Sequence, residues 1–203
     1  MTKLFVFDNN ENLIGAVDPL EGKETNELNK LHTLEVVVNY NDLVDKAVFI
    51  GHKDYKQKDV FHLYKIDRVD KESVTHVKIT AVHKFFDDME SDGYIKDYRP
   101  QNKELVGVLT TLLNGSSWQL GTVNVQRLYS GKLEALSKLV EETQIEIAPR
   151  LEFTKGKITA RYLDVFKRMG RDNGKVFIHG KDLLTVKEKN SKGAIYTAVI
   201  GRG

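Results

Sequence analysis

The 203-residue sequence has no cysteine. That removes disulfides, thiolate zinc sites and cysteine nucleophiles in one step, and it leaves packing as the source of stability. A cysteine-free chain suits the cytosol, and it equally suits a protein that works unchanged outside the cell. An excess of charge of one sign is missing too. The 31 Lys+Arg face 29 Asp+Glu, for a formal net charge of +2, which argues against a strongly cationic nucleic-acid binder. No apolar run approaches the roughly 20 residues that span a bilayer. The opening Met1-Thr2-Lys3-Leu4-Phe5-Val6-Phe7-Asp8 holds too short an apolar stretch for a secretory signal. Hydrophobic residues make up 40% of the chain and no biased tract appears. The composition therefore suits a folded chain of one large domain or two small ones.

Catalytic motifs are also lacking. There is no His-Glu-x-x-His zinc motif and no Gly-x-Ser-x-Gly nucleophile elbow. The six histidines, His32, His52, His62, His76, His83 and His179, fall on different segments. His32 and Glu35, like His76 and His83, are opposite in strand parity, so the six read as scattered surface or rim residues. Asp87, Asp88, Glu90 and Asp92 do not have EF-hand spacing and read as a solvated acidic turn, although a hard cation would suit their oxygens. Among 29 acidic residues some pair always has glycosidase spacing, so the sequence does not single one out. Ser116 and Ser117 read as turn or cap residues, and Gly170-Arg171-Asp172-Asn173-Gly174-Lys175 as a β-turn without phosphate-loop spacing. The single tryptophan, Trp118, beside Leu112, Leu113 and Leu120, reads as a core anchor, with a carbohydrate-stacking platform as the other possibility. Lys53, Lys56 and Lys58, and Lys187, Lys189 and Lys192, are interleaved with acids and read as solvated loops, not as a nucleic-acid site. No catalytic residue, cofactor-binding residue, metal ligand or cofactor is therefore assigned.

What the chain does carry is alternation. Leu4 and Val6, then Leu13 and Ala16, flank the turn-rich Asp8–Asn12 and predict a hairpin. Leu34, Val36 and Val38 alternate, as do Phe61 to Val69 and His76 to His83, and Val48–Gly51 is a short buried strand candidate. Such spacing suggests an antiparallel barrel or sandwich over residues 1–92. After Pro100 the period changes. Leu105, Leu109 and Leu112 share a helical face that stops at Asn114-Gly115, and a second helix is expected from Ser130, with Leu133, Leu136, Leu139 and Val140 as its stripe. Ile145–Ala148, Leu151–Thr154 and Ile158–Tyr162 predict strands, the last two joined by the tight turn Lys155-Gly156-Lys157, and Val176–Ile178 follows the turn Asp172-Asn173-Gly174. The expected class is α+β, mostly β: a barrel (1–92), an α+β region with two amphipathic helices (95–178), and two final strand candidates in 179–203. Two strands alone do not make a stable sheet, so these are expected to open a second barrel that continues in a longer parent.

In this order the elements resemble the N-terminal region of the prophage endopeptidase tail family, the tail-associated lysins and minor structural proteins of long-tailed phages. The residues that carry the resemblance are Leu4-Phe5-Val6-Phe7-Asp8, Phe61-His62-Leu63-Tyr64-Lys65-Ile66 and Trp118 in its Gly-bounded loop. Ser130-Gly131-Lys132-Leu133-Glu134-Ala135-Leu136, the stretch Gly174 to Leu183, and Tyr196-Thr197-Ala198-Val199-Ile200-Gly201 complete them. The family is similar to the hub of contractile-tail baseplates, in which two barrels per subunit form a trimeric ring that continues the tail tube, with an α+β domain inserted between them. The resemblance implies a virion structural protein at the tail tip, assembled in the host cytoplasm as a homotrimer. Its implied partners are the distal tail protein, the tape-measure protein and receptor-binding or lysin components, with no membrane and no specific nucleic acid. It implies no enzymatic role for this chain, and it leaves open whether a longer parent carries a lysin. The alternative is a cell-wall-degrading endopeptidase or glycosidase.

Overall fold

The computed structural model describes residues 3–55, 57, 59–92, 98–133 and 135–170, with the side chains of residues 91 and 92 excepted. The first seven strands are β1 (Leu4–Phe7), β2 (Leu13–Val17), β3 (Pro19–Thr25), β4 (Thr33–Asn39), β5 (Phe49–Lys53), β6 (Phe61–Lys71) and β7 (His76–His83). A short helix, α1 (Asp42–Lys46), leads into β5, and Asn41 caps it by accepting from the Leu43 and Val44 N–H groups. The β1–β2 hairpin closes over Asp8, whose Oδ1 accepts from the N–H groups of Asn10 and Asn12 at 2.8 and 2.9 Å.

These strands pair antiparallel in the order β2-β1-β5-β6-β7-β4-β3. The expected barrel does not close by hydrogen bonds. Its two ends, β2 and β3, are consecutive segments separated only by Asp18, and such neighbours cannot fold back to pair.

The second half comprises α2 (Lys84–Asp92), β8 (Lys103–Glu104), α3 (Leu105–Leu113), β9 (Gln119–Asn124), β10 (Leu128–Tyr129), α4 (Leu136–Thr143), β11 (Glu146–Thr154) and β12 (Lys157–Phe166). The β11–β12 hairpin turns at Lys155 and Gly156, both with positive φ, as a two-residue hairpin turn requires. β11 meets β6 at Leu151 and Phe61, and β9 adds to β12 in parallel, so strands of both halves share one sheet, while β8 and β10 pair with each other as a separate two-stranded sheet. The fold is α+β and mostly β.

Several expectations are corrected. The acidic stretch around Asp87 is helix α2, because Phe85, Phe86 and Met89 give it an apolar face toward the core. The second long helix begins at Leu136 and not near Ser130. Ser130 accepts the Asn102 N–H at 2.8 Å, and Leu133 is drawn into a bridge with Tyr98. The turn Asp172-Asn173-Gly174, the strand Val176–Ile178 and the strands expected in 179–203 lie outside the described residues.

Alternation explains why the sheet has two cores. From β4 and β7, Leu34, Val36, Val38, Val77, Ile79 and Ala81 face one core, which Leu4, Val6, Ile50 and Tyr64 complete. The opposite side chains of β1, β5 and β6, namely Phe7, Phe49, Phe61 and Leu63, face a second core beneath α2, α3 and α4. Strands β1, β5 and the start of β6, Phe61–Tyr64, are thus buried on both faces, while β4 shows a polar outer face on which Glu35 pairs with Lys78 of β7.

Candidate functional site

Four of the six histidines come together. Each continues the inward phase of its own strand: His32 precedes Leu34, His52 follows Ile50, His62 precedes Tyr64 and His83 follows Ala81. The registers then align them. His52 lies opposite His62 and Tyr64 opposite His83, while the β4–β7 ladder runs from Thr33–Val82 to the His83 N–H, which donates to His32 O at 2.9 Å. The result is a row across one end of the first core. Ring centroids are 5.4 Å apart for His52 and His62, 5.8 Å for His62 and His83, and 5.7 Å for His32 and His83. This overturns the reading of these four as scattered surface or rim residues. The signal was present as in-phase parity on four strands, but pairing order cannot be read from parity.

The row is asymmetric in its polar partners. The His52 Nε2 atom lies 3.5 Å from Glu24, and Glu24 also accepts from the Tyr64 hydroxyl at 2.6 Å. The His62 Nε2 atom lies 3.2 Å from Asp54. His32 and His83 instead face rings: Phe86 is 4.9 Å from His32 and Tyr64 is 5.2 Å from His83. One nitrogen on each of His32, His62 and His83 is buried without a hydrogen-bond partner. Burial holds His83 well below the ordinary imidazole value, with neighbouring His62, His32 and His52 adding to the effect. Burial lowers His32 as well, with help from His62. Burial, then the Glu24 carboxylate, pushes the Tyr64 hydroxyl far up, so Tyr64 is a permanent donor.

The His83 Nδ1 atom accepts from the Phe85 N–H at 3.3 Å, in the first turn of α2. That helix is held to the core by Trp118, which is buried. The Trp118 ring packs edge-on against Phe85 at 4.9 Å, and its Nε1–H donates to Asp88 at 2.8 Å. Trp118 is thus a core anchor, and its buried ring offers no stacking face to a sugar. Asp88 also binds Lys84, and Asp87 accepts from Lys65 at 2.8 Å, so two of the four acids are engaged in ion pairs. The side chain of Asp92 lies outside the described residues.

Beside α2 opens a cavity of about 490 Å³, lined chiefly by Leu31, Phe86, Met89, Leu112, Leu136 and Val140. Its loop wall is pinned by Asn29, which adopts φ +59. The Asn29 side chain donates to Ile145 O at 2.7 Å and accepts from Ile147 N–H at 2.9 Å, replacing a strand partner for β11.

The remaining candidates are accounted for locally. Ser116 accepts from the Trp118 N–H and donates to Leu113 O, a cap at the end of α3. His76 lies within 3.0 Å of Ser73 and Thr75 hydroxyls in the β6–β7 turn. His179, Lys56, Lys58, Lys187, Lys189, Lys192 and the turn from Arg171 to Lys175 lie outside the described residues. Among the described residues no group of three His, Asp or Glu side chains is placed to hold a metal ion, and no helix is long and apolar enough to cross a membrane.

No protein-family model matches the sequence, and no curated protein does. Among solved structures, the chain is similar to the prophage tail protein gp18 from Listeria monocytogenes EGD-e, with 14% identity and a TM-score of 0.47. That match covers 81% of this chain, which spans half the length of the Listeria chain.

Proposed function

We propose that the chain is a structural component of a phage or prophage tail, acting at the tail tip as a baseplate hub of the endopeptidase tail family. It assembles as a homotrimeric ring that continues or closes the tail tube and links the distal tail protein to receptor-binding or lysin parts. The sequence resemblance motivates the reading. The observation that carries it is the state of the sheet edges. Among the described residues β3 pairs only with β4, and five of its seven residues are exposed, among them Leu20, which is 50% exposed. Among the described residues β9 pairs only with β12. Such edges are templates for pairing with another chain, and burying them in a closed ring removes that liability. Three of the segments that carry the resemblance are framework among the described residues: Leu4–Phe7 is β1, Phe61–Ile66 opens β6, and Trp118 anchors α2.

Under this reading the chain itself performs no cell-wall chemistry. Immunogold electron microscopy of intact particles tests it, with gold clustered at the tail tip as the expected result. Particles free of gold, with the protein still in lysates, would overturn the tail location. Zymography on bacterial cell walls tests the second part, since a clear zone from this chain alone would make it an enzyme.

A further inference from the structure

We propose that the row of buried histidines is an acid switch: in mild acid His83 takes a proton at Nδ1, its bond to the Phe85 N–H is lost, and the first turn of α2 lifts away from the sheet. The geometry makes this the consequence of one proton. In the neutral ring Nδ1 is the acceptor for Phe85 N–H. The proton then sits on Nε2, buried and without a partner. A second proton, taken from solvent, can enter only at Nδ1, where it turns an acceptor into a donor facing a donor. The new cation also lies at the N-terminal end of α2, where the helix dipole opposes positive charge.

The groups facing His83 do not relieve it. His62 and Tyr64 come from β6, His32 from the strand-entry loop of β4, and Phe86 from α2. The nearby carboxylates are engaged elsewhere in the row: Glu24 of β3 with His52 and Tyr64, and Asp54 with His62. Movement of α2 also moves Phe86 and Met89, which line the apolar cavity, so the proton opens that wall. The switch requires only the row and α2, and it holds whether or not the chain belongs to a tail.

The sign follows from linkage. The folded state holds His83 neutral, whereas the unfolded chain binds the proton near pH 6.5. Stability is therefore full above about pH 6.5 and falls as the pH drops below it. If only the opened or unfolded chain protonates His83, its unfolding constant rises about thirty-fold between pH 7.5 and 5.0. Exposed acids such as Asp8, Glu27 and Glu35, whose values are lowered from the ordinary 3.8 and 4.5, lose their contribution only at lower pH.

Trp118 reports the event, because it touches Phe85 and Asp88 on α2. The experiment follows Trp118 emission and urea unfolding of the full chain from pH 8 to 5, beside histidine ring NMR. The expected result is a reversible emission change below pH 6.5 with the thirty-fold rise. His83→Asn keeps an acceptor for Phe85 N–H and cannot be protonated, and it should remove the thirty-fold share that His83 contributes, leaving the dependence that the lowered His32 adds. Flat emission and stability across the range, or the same pH dependence in His83→Asn, would overturn the proposal. So would a His83 ring signal that titrates near pH 6.5 without any change at Trp118, a readout that needs no variant.

Discussion

Asp164 is the point at which one buried side chain holds two strands in register, and its removal has a cost that can be worked out. β9 carries two residues, Gly121 and Thr122, against the single residue Asp164 of β12, where the pairing jumps from Leu163–Leu120 to Val165–Val123. The extra Thr122 N–H is satisfied by Asp164 Oδ1 at 2.5 Å. Asp164 Oδ2 accepts from Arg150 Nε at 2.6 Å, and the Arg150 guanidinium stacks over Tyr162 at 4.3 Å. Asp164→Ala strands the Thr122 donor, which costs about 1 kcal/mol because Thr122 is exposed and water replaces part of the bond. It also removes one of the two carboxylate partners of Arg150, for about 1–2 kcal/mol, since Arg150 keeps Glu152 and its Tyr162 stack and is 27% exposed. The sum is about 2–3 kcal/mol. Gly121 supplies the control. A methyl group there would collide with Asp164 Oδ1 and lie 3.1 Å from Tyr162 Cβ. Gly121→Ala should therefore cost about 1–3 kcal/mol in the native background, and at least about 1 kcal/mol less in Asp164→Ala. Urea unfolding read by Trp118 emission, with the denaturant slope unchanged, measures all four corners of the cycle. Equal cost of Gly121→Ala in both backgrounds would refute the assigned packing.

Other perturbations follow from the same contacts. Trp118→Phe deletes a donor to the buried Asp88 carboxylate and should lower stability by about 1.5–3 kcal/mol in denaturant titrations followed by circular dichroism. Asn29→Ala removes the bonds to Ile145 O and from the Ile147 N–H and puts alanine, which tolerates positive φ less well than asparagine, at that position, for a loss of about 2–4 kcal/mol. Asn29→Gly separates the two causes, because it relieves only the backbone strain. Leu109→Ala, at a fully buried position on the inner face of α3, should cost about 2–5 kcal/mol by the same assay, and a loss under 1 kcal/mol would contradict the core placement.

Local chemistry decided much of this molecule in advance. The alternation of Leu34, Val36 and Val38 and of Val77, Ile79 and Ala81 specifies strands with one buried face, because side chains along a strand point alternately to opposite sides. Leu105, Leu109, Leu112 and Leu113 specify a helix by the same kind of periodicity, and Lys155-Gly156 specifies a two-residue turn. Each of these signals is confined to a few neighbouring residues, so it survives without knowledge of the fold.

What depended on distant partners could not be seen in that way. β9 exists because β12 offers it an edge, and Ser130 leaves the expected helix because Asn102 binds it from 28 residues away. In α2 the acids masked the face formed by Phe85, Phe86 and Met89, whose burial needs a core assembled from other segments. The histidine row shows the limit most clearly. In the sequence His32, His52, His62 and His83 read as scattered, although each is in phase with the inward residues of its strand, and only the order of pairing between β4, β7, β6 and β5 brought them to one end of the sheet. Register between strands is a long-range property, set by how the whole sheet packs, and so the chemistry of the row belongs to the tertiary structure.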